Sequence, residues 1–255
     1  FRRALRPFCK RGTGDGSSRR RPTIVRDSAG TEKTASVLLG RTERLWKTCS
    51  AAKSGGNNVG RFKFAVCEWS FPCWGELAIK MAYEAGFDGV QLGDGGGSMH
   101  AYPLRDRRVQ EYYLQAGSDY HISFPQIHLY TLGHQCYYRS RLDTLEGQTC
   151  LESIKQGVIA ASEMGVPSVI IDGMRMNNAA KRQHIFQVAQ YAVRIGEEYG
   201  IQIGMETDMS MEDHISFLDA LDGKLKLCFD AHNPVMYGTG YPPDMIRTLG
   251  KDRID

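Results

Sequence analysis

From residue 61 onward the apolar positions repeat one phrase: a short β-branched run, a polar loop, a stretch with apolar residues three and four apart, a glycine, then the next run. The first run covers residues 62–67 and leads to a helical stretch over 75–85, closed by Gly86. A second run, Gly89-Val90-Gln91-Leu92, precedes a predicted helix over 107–113 and a third strand over 122–129. The helix predicted over 145–164 carries Leu151, Ile154, Val158 and Ala161 on one face, and Gly165 and Pro167 supply its stop signals. Ser168-Val169-Ile170-Ile171-Asp172 is too continuously apolar for a strand with one wet face, which predicts a central place in a sheet. A helix over 179–199, with contact positions at Ile185, Val188, Ala189 and Ala192, stops at Gly200 and feeds a fifth strand ending near Glu206. A helix over 211–221 leads into a sixth strand ending near Asp230, a short helix over 243–249 follows, and Arg253-Ile254-Asp255 reads as the start of a seventh strand.

Crossovers long enough to hold a helix require parallel pairing, so two architectures compete: a doubly wound sheet and a (β/α)8 barrel. The first strand is not followed by Gly-x-Gly-x-x-Gly, and the glycine-rich loop Gly93-Asp94-Gly95-Gly96-Gly97 after the second has no helix start directly behind it. The pattern therefore favours the α/β class and a (β/α)8 TIM barrel, C-terminally truncated, with about six strands and the start of a seventh. At 255 residues and 42% hydrophobic content the chain suffices for one such core.

Charge divides the chain in two. Residues 1–60 hold 14 Lys/Arg against 4 Asp/Glu, whereas the remainder holds 18 against 25. The first sixty residues show no sustained period and too little apolar surface to offset ordering entropy, so 1–60 is expected to be a disordered or non-native basic extension and 61–255 a partial barrel. The chain opens on Phe1, and Ser54-Gly55-Gly56 ahead of Val59 can be encoded by a ribosome-binding sequence before a GTG start; translated upstream DNA explains the segment better than a nucleic-acid tail or a transit peptide. The acidic body argues against a nucleic-acid groove. No apolar stretch reaches the ~20 residues of a membrane span, and the seven scattered cysteines read as free thiols of a reducing compartment. A cytoplasmic protein with no nucleic-acid and no membrane partner is expected.

Glu206 and Asp230 end consecutive predicted strands, where parallel α/β proteins build their active sites, and His232 and Asn233 follow the second. Oxygen and nitrogen donors so placed suit a hard or borderline divalent ion. Trp69, just past the first strand, could wall a sugar pocket. His128 and His134 flank the loop after the third strand, and Asp172 and Arg175 end the fourth, where together they could bind a hydroxyl and a phosphate.

The stretch from Ala78 to Leu92, the strand Gly204-Met205-Glu206 and the run Cys228-Phe229-Asp230-Ala231-His232-Asn233-Pro234 resemble the sugar phosphate isomerase/epimerase family of the xylose isomerase-like TIM barrels. The resemblance runs from about Phe62 to the end. It implies one divalent ion, manganese, magnesium or cobalt, held by a Glu of the fifth strand (Glu206), an Asp of the sixth (Asp230), and a His and a Glu of the seventh and eighth, which would lie beyond Asp255. It also implies a catalytic role for Glu206, moving a proton on the carbon beside a carbonyl through a metal-stabilised enediolate. The activity implied is isomerisation or epimerisation of a small sugar, sugar phosphate or polyol-derived ketone, with Trp69, His128, His134, Asp172, Arg175, His232 and Asn233 as substrate-binding candidates. Some relatives carry His three positions after the metal Asp, where this chain has Asn233. An inosose-type dehydratase and a non-catalytic fragment are the alternative readings; an apurinic-endonuclease-like activity fits poorly, because it needs a basic surface. The partner is a small carbohydrate, and homo-oligomers fit the reading.

Overall fold

The computed structural model describes residues 62–94, 102–130, 132, 137–175 and 179–255, all within one compact unit, Ala52–Asp255. The basic segment 1–60, most of the glycine-rich loop and His134 lie outside the described residues. Six parallel strands follow the chain in order: β1 Ala65–Cys67, β2 Gly89–Gly93, β3 Gln126–His128, β4 Ser168–Gly173, β5 Gln202–Thr207 and β6 Leu225–Leu227. Each pairs with the next, and Ile254 bridges to Leu227 in parallel, so the expected seventh strand begins there. Between the strands run helices α1 Glu76–Glu84, α2 Arg107–Tyr120, α3 Leu145–Met164, α4 Ala179–Tyr199 and α5 Met211–Asp219; α6 His232–Tyr237 and α7 Pro242–Leu249 follow β6. Sequential parallel order with intervening helices is barrel topology; a doubly wound sheet would reverse its order partway.

Side chains alternate between the two faces of this sheet. Ile127, Val169, Ile171, Ile203, Met205, Leu225 and Leu227 join one buried cluster with Ile154, Val158, Ile185 and Val188 of α3 and α4, so this face lies under the helices. The opposite face presents Gln126 and His128, Ser168, Ile170 and Asp172, and Gln202, Gly204 and Glu206, aligned as Gln126↔Ser168↔Gln202, His128↔Ile170↔Gly204 and Asp172↔Glu206. The central strands are thus buried on both sides, and their polar residues collect on the inner one. Among the described residues, no helix is long and apolar enough to cross a membrane.

Several expected elements change length for local reasons. β1 starts at Ala65, not at residue 62, and leaves Phe62 and Phe64 in solvent. The third strand is interrupted: Ser123 makes an isolated bridge to Gly89, and Pro125, which lacks an N–H, separates it from the ladder of β3. The helix expected over 107–113 runs on to Tyr120, because Ala116 and Gly117 pack inward and a Cβ on Gly117 would stand 2.7 Å from the Phe124 ring. α6 was not expected at all. It starts beside Asp230, whose carboxylate accepts from the His232 N–H at 2.7 Å.

Candidate active site

The register that aligns Asp172 with Glu206 also brings His128 to the same end of the sheet. One nitrogen of His128 and one carboxylate oxygen each from Asp172 and Glu206 lie within 4.8 Å of one another. His128 Nε2 stands 3.4 Å from Asp172 Oδ1, and these two side chains keep only 8% and 12% of their exposure. Glu206 is fixed from α6: Asn233, itself buried, donates from Nδ2 to Glu206 Oε1 at 3.0 Å and reaches the Thr207 carbonyl at 3.5 Å.

Electrostatics follow from this crowding. Burial pushes the Glu206 carboxyl above the usual carboxylate range, and the neighbouring Asp172 and Asp230 carboxylates push the same way, while the Asn233 hydrogen bond and His128 oppose them. A group of acids held together at such a cost is stabilised by a cation among them, and one imidazole nitrogen with two carboxylate oxygens is a donor set for divalent manganese, magnesium, cobalt or zinc. The residues present therefore fit the ion that the resemblance implies.

The cluster opens on a cavity of about 630 Å³ lined by residues of every strand tip from β1 to β6. Trp69 forms part of its wall, stacked on Tyr130 with ring centroids 5.1 Å apart and edge-on to His128 at 5.2 Å. Asp230 and Arg175 line the same cavity, and Asp230 has one oxygen engaged by the start of α6. Asn233 reaches the site through Glu206. His232, in contrast, is exposed at the start of α6 and is absent from the cavity wall. Met174 lines the cavity close to Asn233, with 3.9 Å between Asn233 Nδ2 and its sulfur. Cys67 and Cys228 lie on the wall too, but burial pushes both thiols up, Cys228 to about 12, which keeps them protonated and unreactive.

The sequence pointed to Glu206 and Asp230 as two ligands of one metal ion, and to His128 and Asp172 as substrate contacts. The compact group in the structure is His128, Asp172 and Glu206, with Asp230 nearby on the shared cavity. Glu68 was not foreseen. It follows β1 directly, is buried, and accepts from Gly75 N–H (2.9 Å), Gly93 N–H (3.2 Å) and the Tyr113 hydroxyl (2.7 Å), which locks the loop that carries Trp69. An acid at the end of an apolar run, the signal that marked Glu206, was present there as well.

A family model described as xylose isomerase-like TIM barrel matches residues 79–255. Comparison with curated protein sequences gives no match. Among solved structures, the chain is similar to the probable 3-DHS dehydratase AsbF from Bacillus anthracis, with 17% identity, a TM-score of 0.59, and coverage of 76% of this chain and 71% of the other. It is similar to a xylose isomerase-like TIM barrel protein from Mycobacterium smegmatis in complex with magnesium, at 17% identity and TM-score 0.58, covering 76% and 73%. A sugar phosphate isomerase/epimerase from Parabacteroides distasonis aligns at 15% identity and TM-score 0.57, covering 80% and 77%.

Proposed function

The chain belongs to the xylose isomerase-like TIM barrels, and on that footing we propose that it is a divalent-metal-dependent isomerase or epimerase of a small sugar, sugar phosphate or polyol-derived ketone. The observation that carries this reading is the meeting of His128, Asp172 and Glu206, from three consecutive strands, on the wall of one cavity. These three residues would hold the ion, with Asp230 offering a further carboxylate. A divalent ion bound there would polarise a carbonyl oxygen and so acidify the adjacent C–H.

Glu206 is the proton carrier in this scheme. With no ion bound, burial raises its proton affinity above that of a free carboxylate, and a bound divalent ion would pull it back toward the ionised form that accepts a proton from carbon. Asn233 fixes the orientation of the carboxylate through Oε1, so the base does not swing away from the substrate. Trp69 and Tyr130 supply a flat wall for the apolar face of a sugar or polyol.

Isothermal titration of the full chain with MnCl2 tests the site, and deuterium uptake from D2O at the carbon beside the carbonyl of a ketose panel tests the chemistry. One ion is expected per chain, bound about tenfold or more weakly after Glu206→Gln, Asp172→Asn or His128→Gln. Deuterium uptake is expected to vanish in Glu206→Gln. Ion binding that ignores all three substitutions would overturn the reading. Loss of water from the substrate in place of exchange would assign the same apparatus to the dehydratase branch.

A further inference from the structure

We propose that Arg139 and Arg175 form a subsite for an anionic group of the substrate, a carboxylate or a phosphate, on the wall of the same cavity. The inference deepens the function proposed above, on whose cavity it rests. The two arginines come from separate connections: Arg139 closes the turn Tyr137–Arg139 that precedes α3, and Arg175 follows β4. Both line the cavity together with Asp172 and Glu206.

A hydrogen bond ties the two connections at the neighbouring positions. The Tyr138 hydroxyl donates to the Met174 carbonyl at 3.5 Å, so the residues that follow each of them, Arg139 and Arg175, are carried by one joined pair of loops. Arg139 is steadied further by its guanidinium lying 5.3 Å from the centroid of the Tyr138 ring. Arg175 adopts a left-handed backbone, φ 64°, which is unfavourable for a side chain of this size. Its N–H is held there by the Asp208 carboxylate at 2.8 Å. Glycine or asparagine would satisfy that backbone at lower cost; an arginine at the position is explained by what its side chain does.

What the guanidinium groups lack is as informative. Arg105, Arg107, Arg108, Arg141, Arg182, Arg247 and Arg253 each stand in an ion pair with a carboxylate of this chain. Among the described residues, Arg139, Arg175 and Arg194 make none; Arg194 lies over the Tyr191 ring away from the cavity, whereas Arg139 and Arg175 share the cavity wall with Asp172, Glu206 and Asp230. If their task were to neutralise those acids, pairs would be expected. A divalent ion offsets two of the three carboxylate charges, the two guanidinium groups then outweigh the third, and an anionic oxygen group on the substrate completes the balance.

Three probes of one carbon skeleton separate the cases: glycerol 3-phosphate, glycerate and glycerol, titrated calorimetrically into the full chain with and without MnCl2. Both charged probes are expected to bind at least about tenfold more tightly than glycerol, and whichever of them is preferred identifies phosphate or carboxylate as the natural group. Arg139→Gln and Arg175→Gln should each weaken the charged probes about tenfold while leaving Mn2+ affinity intact, and Tyr138→Phe, which alters no charge, should weaken them severalfold by loosening the joined loops. Arg139→Lys and Arg175→Lys keep a cation and should fall between wild type and the Gln variants; they also serve if a Gln variant fails to melt cooperatively. Charged probes that bind wild type and the Arg139→Gln/Arg175→Gln double variant equally, or no more tightly than glycerol, would overturn the subsite. Arginine-dependent binding in a chain that takes up no Mn2+ would leave the subsite standing and defeat the metal-dependent function alone.

Discussion

Glu68 is a carboxylate buried without an ion-pair partner among the described residues, and its three donors are what make that tolerable. Burial pushes its carboxyl up, the hydrogen bonds from Gly75, Tyr113 and Gly93 pull it back, and the Tyr113 hydroxyl is driven well above its ordinary value by its own burial and by Glu68. A glutamine there would turn an amide NH2 toward groups that themselves donate. Glu68→Gln is expected to cost about 2 kcal/mol, the penalty of an unsatisfied buried donor pair, read from the urea midpoint; an unchanged midpoint would mean that water satisfies the site. His214 makes a second residue-level case. It is buried on α5 against the Thr207 hydroxyl with Nδ1 unpartnered, and burial lowers its pKa to about 4. Between the ordinary histidine pKa near 6.5 and about 4, the unfolded chain binds the proton and the folded chain does not. Stability is therefore full above that window and falls as the pH drops through it, by about 3 kcal/mol from this group. Denaturant titrations of wild type and His214→Gln at pH 7 and pH 4.5 check it: the wild type should lose more stability than the variant, and equal losses would refute the assignment. His214 was not legible in the sequence, because a histidine on the inner face of an amphipathic helix reads like one on its rim. Glu68 and Glu206 carry the same signal, an acid ending an apolar strand, and only their surroundings separate them: Glu68 accepts from Gly75, Gly93 and Tyr113 under the loop, whereas Glu206 faces the cavity.

At the scale of elements, what the sequence hid was contact between backbones. α3 was readable throughout, because its apolar residues keep one face over 145–164, but nothing in that period shows why its first turn contains Gly147. There the Thr144 hydroxyl accepts from the Gly147 N–H at 3.2 Å, and a Cβ on Gly147 would stand 2.1 Å from the Arg141 carbonyl oxygen. Alanine improves helix propensity by about 1 kcal/mol, yet that contact is with backbone and yields only if the preceding loop moves, which costs about 1–3 kcal/mol. Gly147→Ala should accordingly lower the melting temperature despite the better helix former; a rise would show that the loop adjusts freely. The short strands were legible in type and not in extent. Phe62 and Phe64 extend the apolar pattern beyond the ladder of β1 with their side chains in solvent, and Pro125 cuts β3, since ladder length depends on partners that a single strand's pattern does not contain. α6 escaped notice for a related reason: six residues show no period, and its start depends on the Asp230 carboxylate turning back to the His232 N–H.

At the scale of the whole molecule, the order of the strands was legible from the alternation of runs and helical stretches, and with it the end of the sheet that carries the site. The identity of the cluster was not, because His128, Asp172 and Glu206 meet through the register of three strands whose relative shift no local pattern encodes. That arrangement has a consequence for stability that differs with and without metal. With no cation bound, burial and the neighbouring Asp172 and Asp230 raise the Glu206 pKa, so the folded chain holds its proton more tightly than the unfolded chain does, and stability declines as the pH rises through that interval. Above it, the ionised Glu206 is a net cost. Glu206→Gln is therefore expected to melt higher than wild type in EDTA at pH 8, in the manner of a functional residue whose removal relieves the fold. Manganese should reverse the ranking. An ion that binds the folded state alone stabilises it by about 2.7 kcal/mol at a hundred times its Kd, and because the proposed ligands His128, Asp172 and Glu206 lie on β3, β4 and β5, hydrogen exchange should slow most across those three strands. Wild type is thus expected to overtake Glu206→Gln once MnCl2 is added, and to fall back when EDTA is restored. Equal metal-induced shifts in the two proteins would place the ion away from Glu206, and a lower melt for Glu206→Gln in EDTA would show that Asn233 and the cavity wall stabilise the ionised carboxylate more than its burial and its acidic neighbours destabilise it.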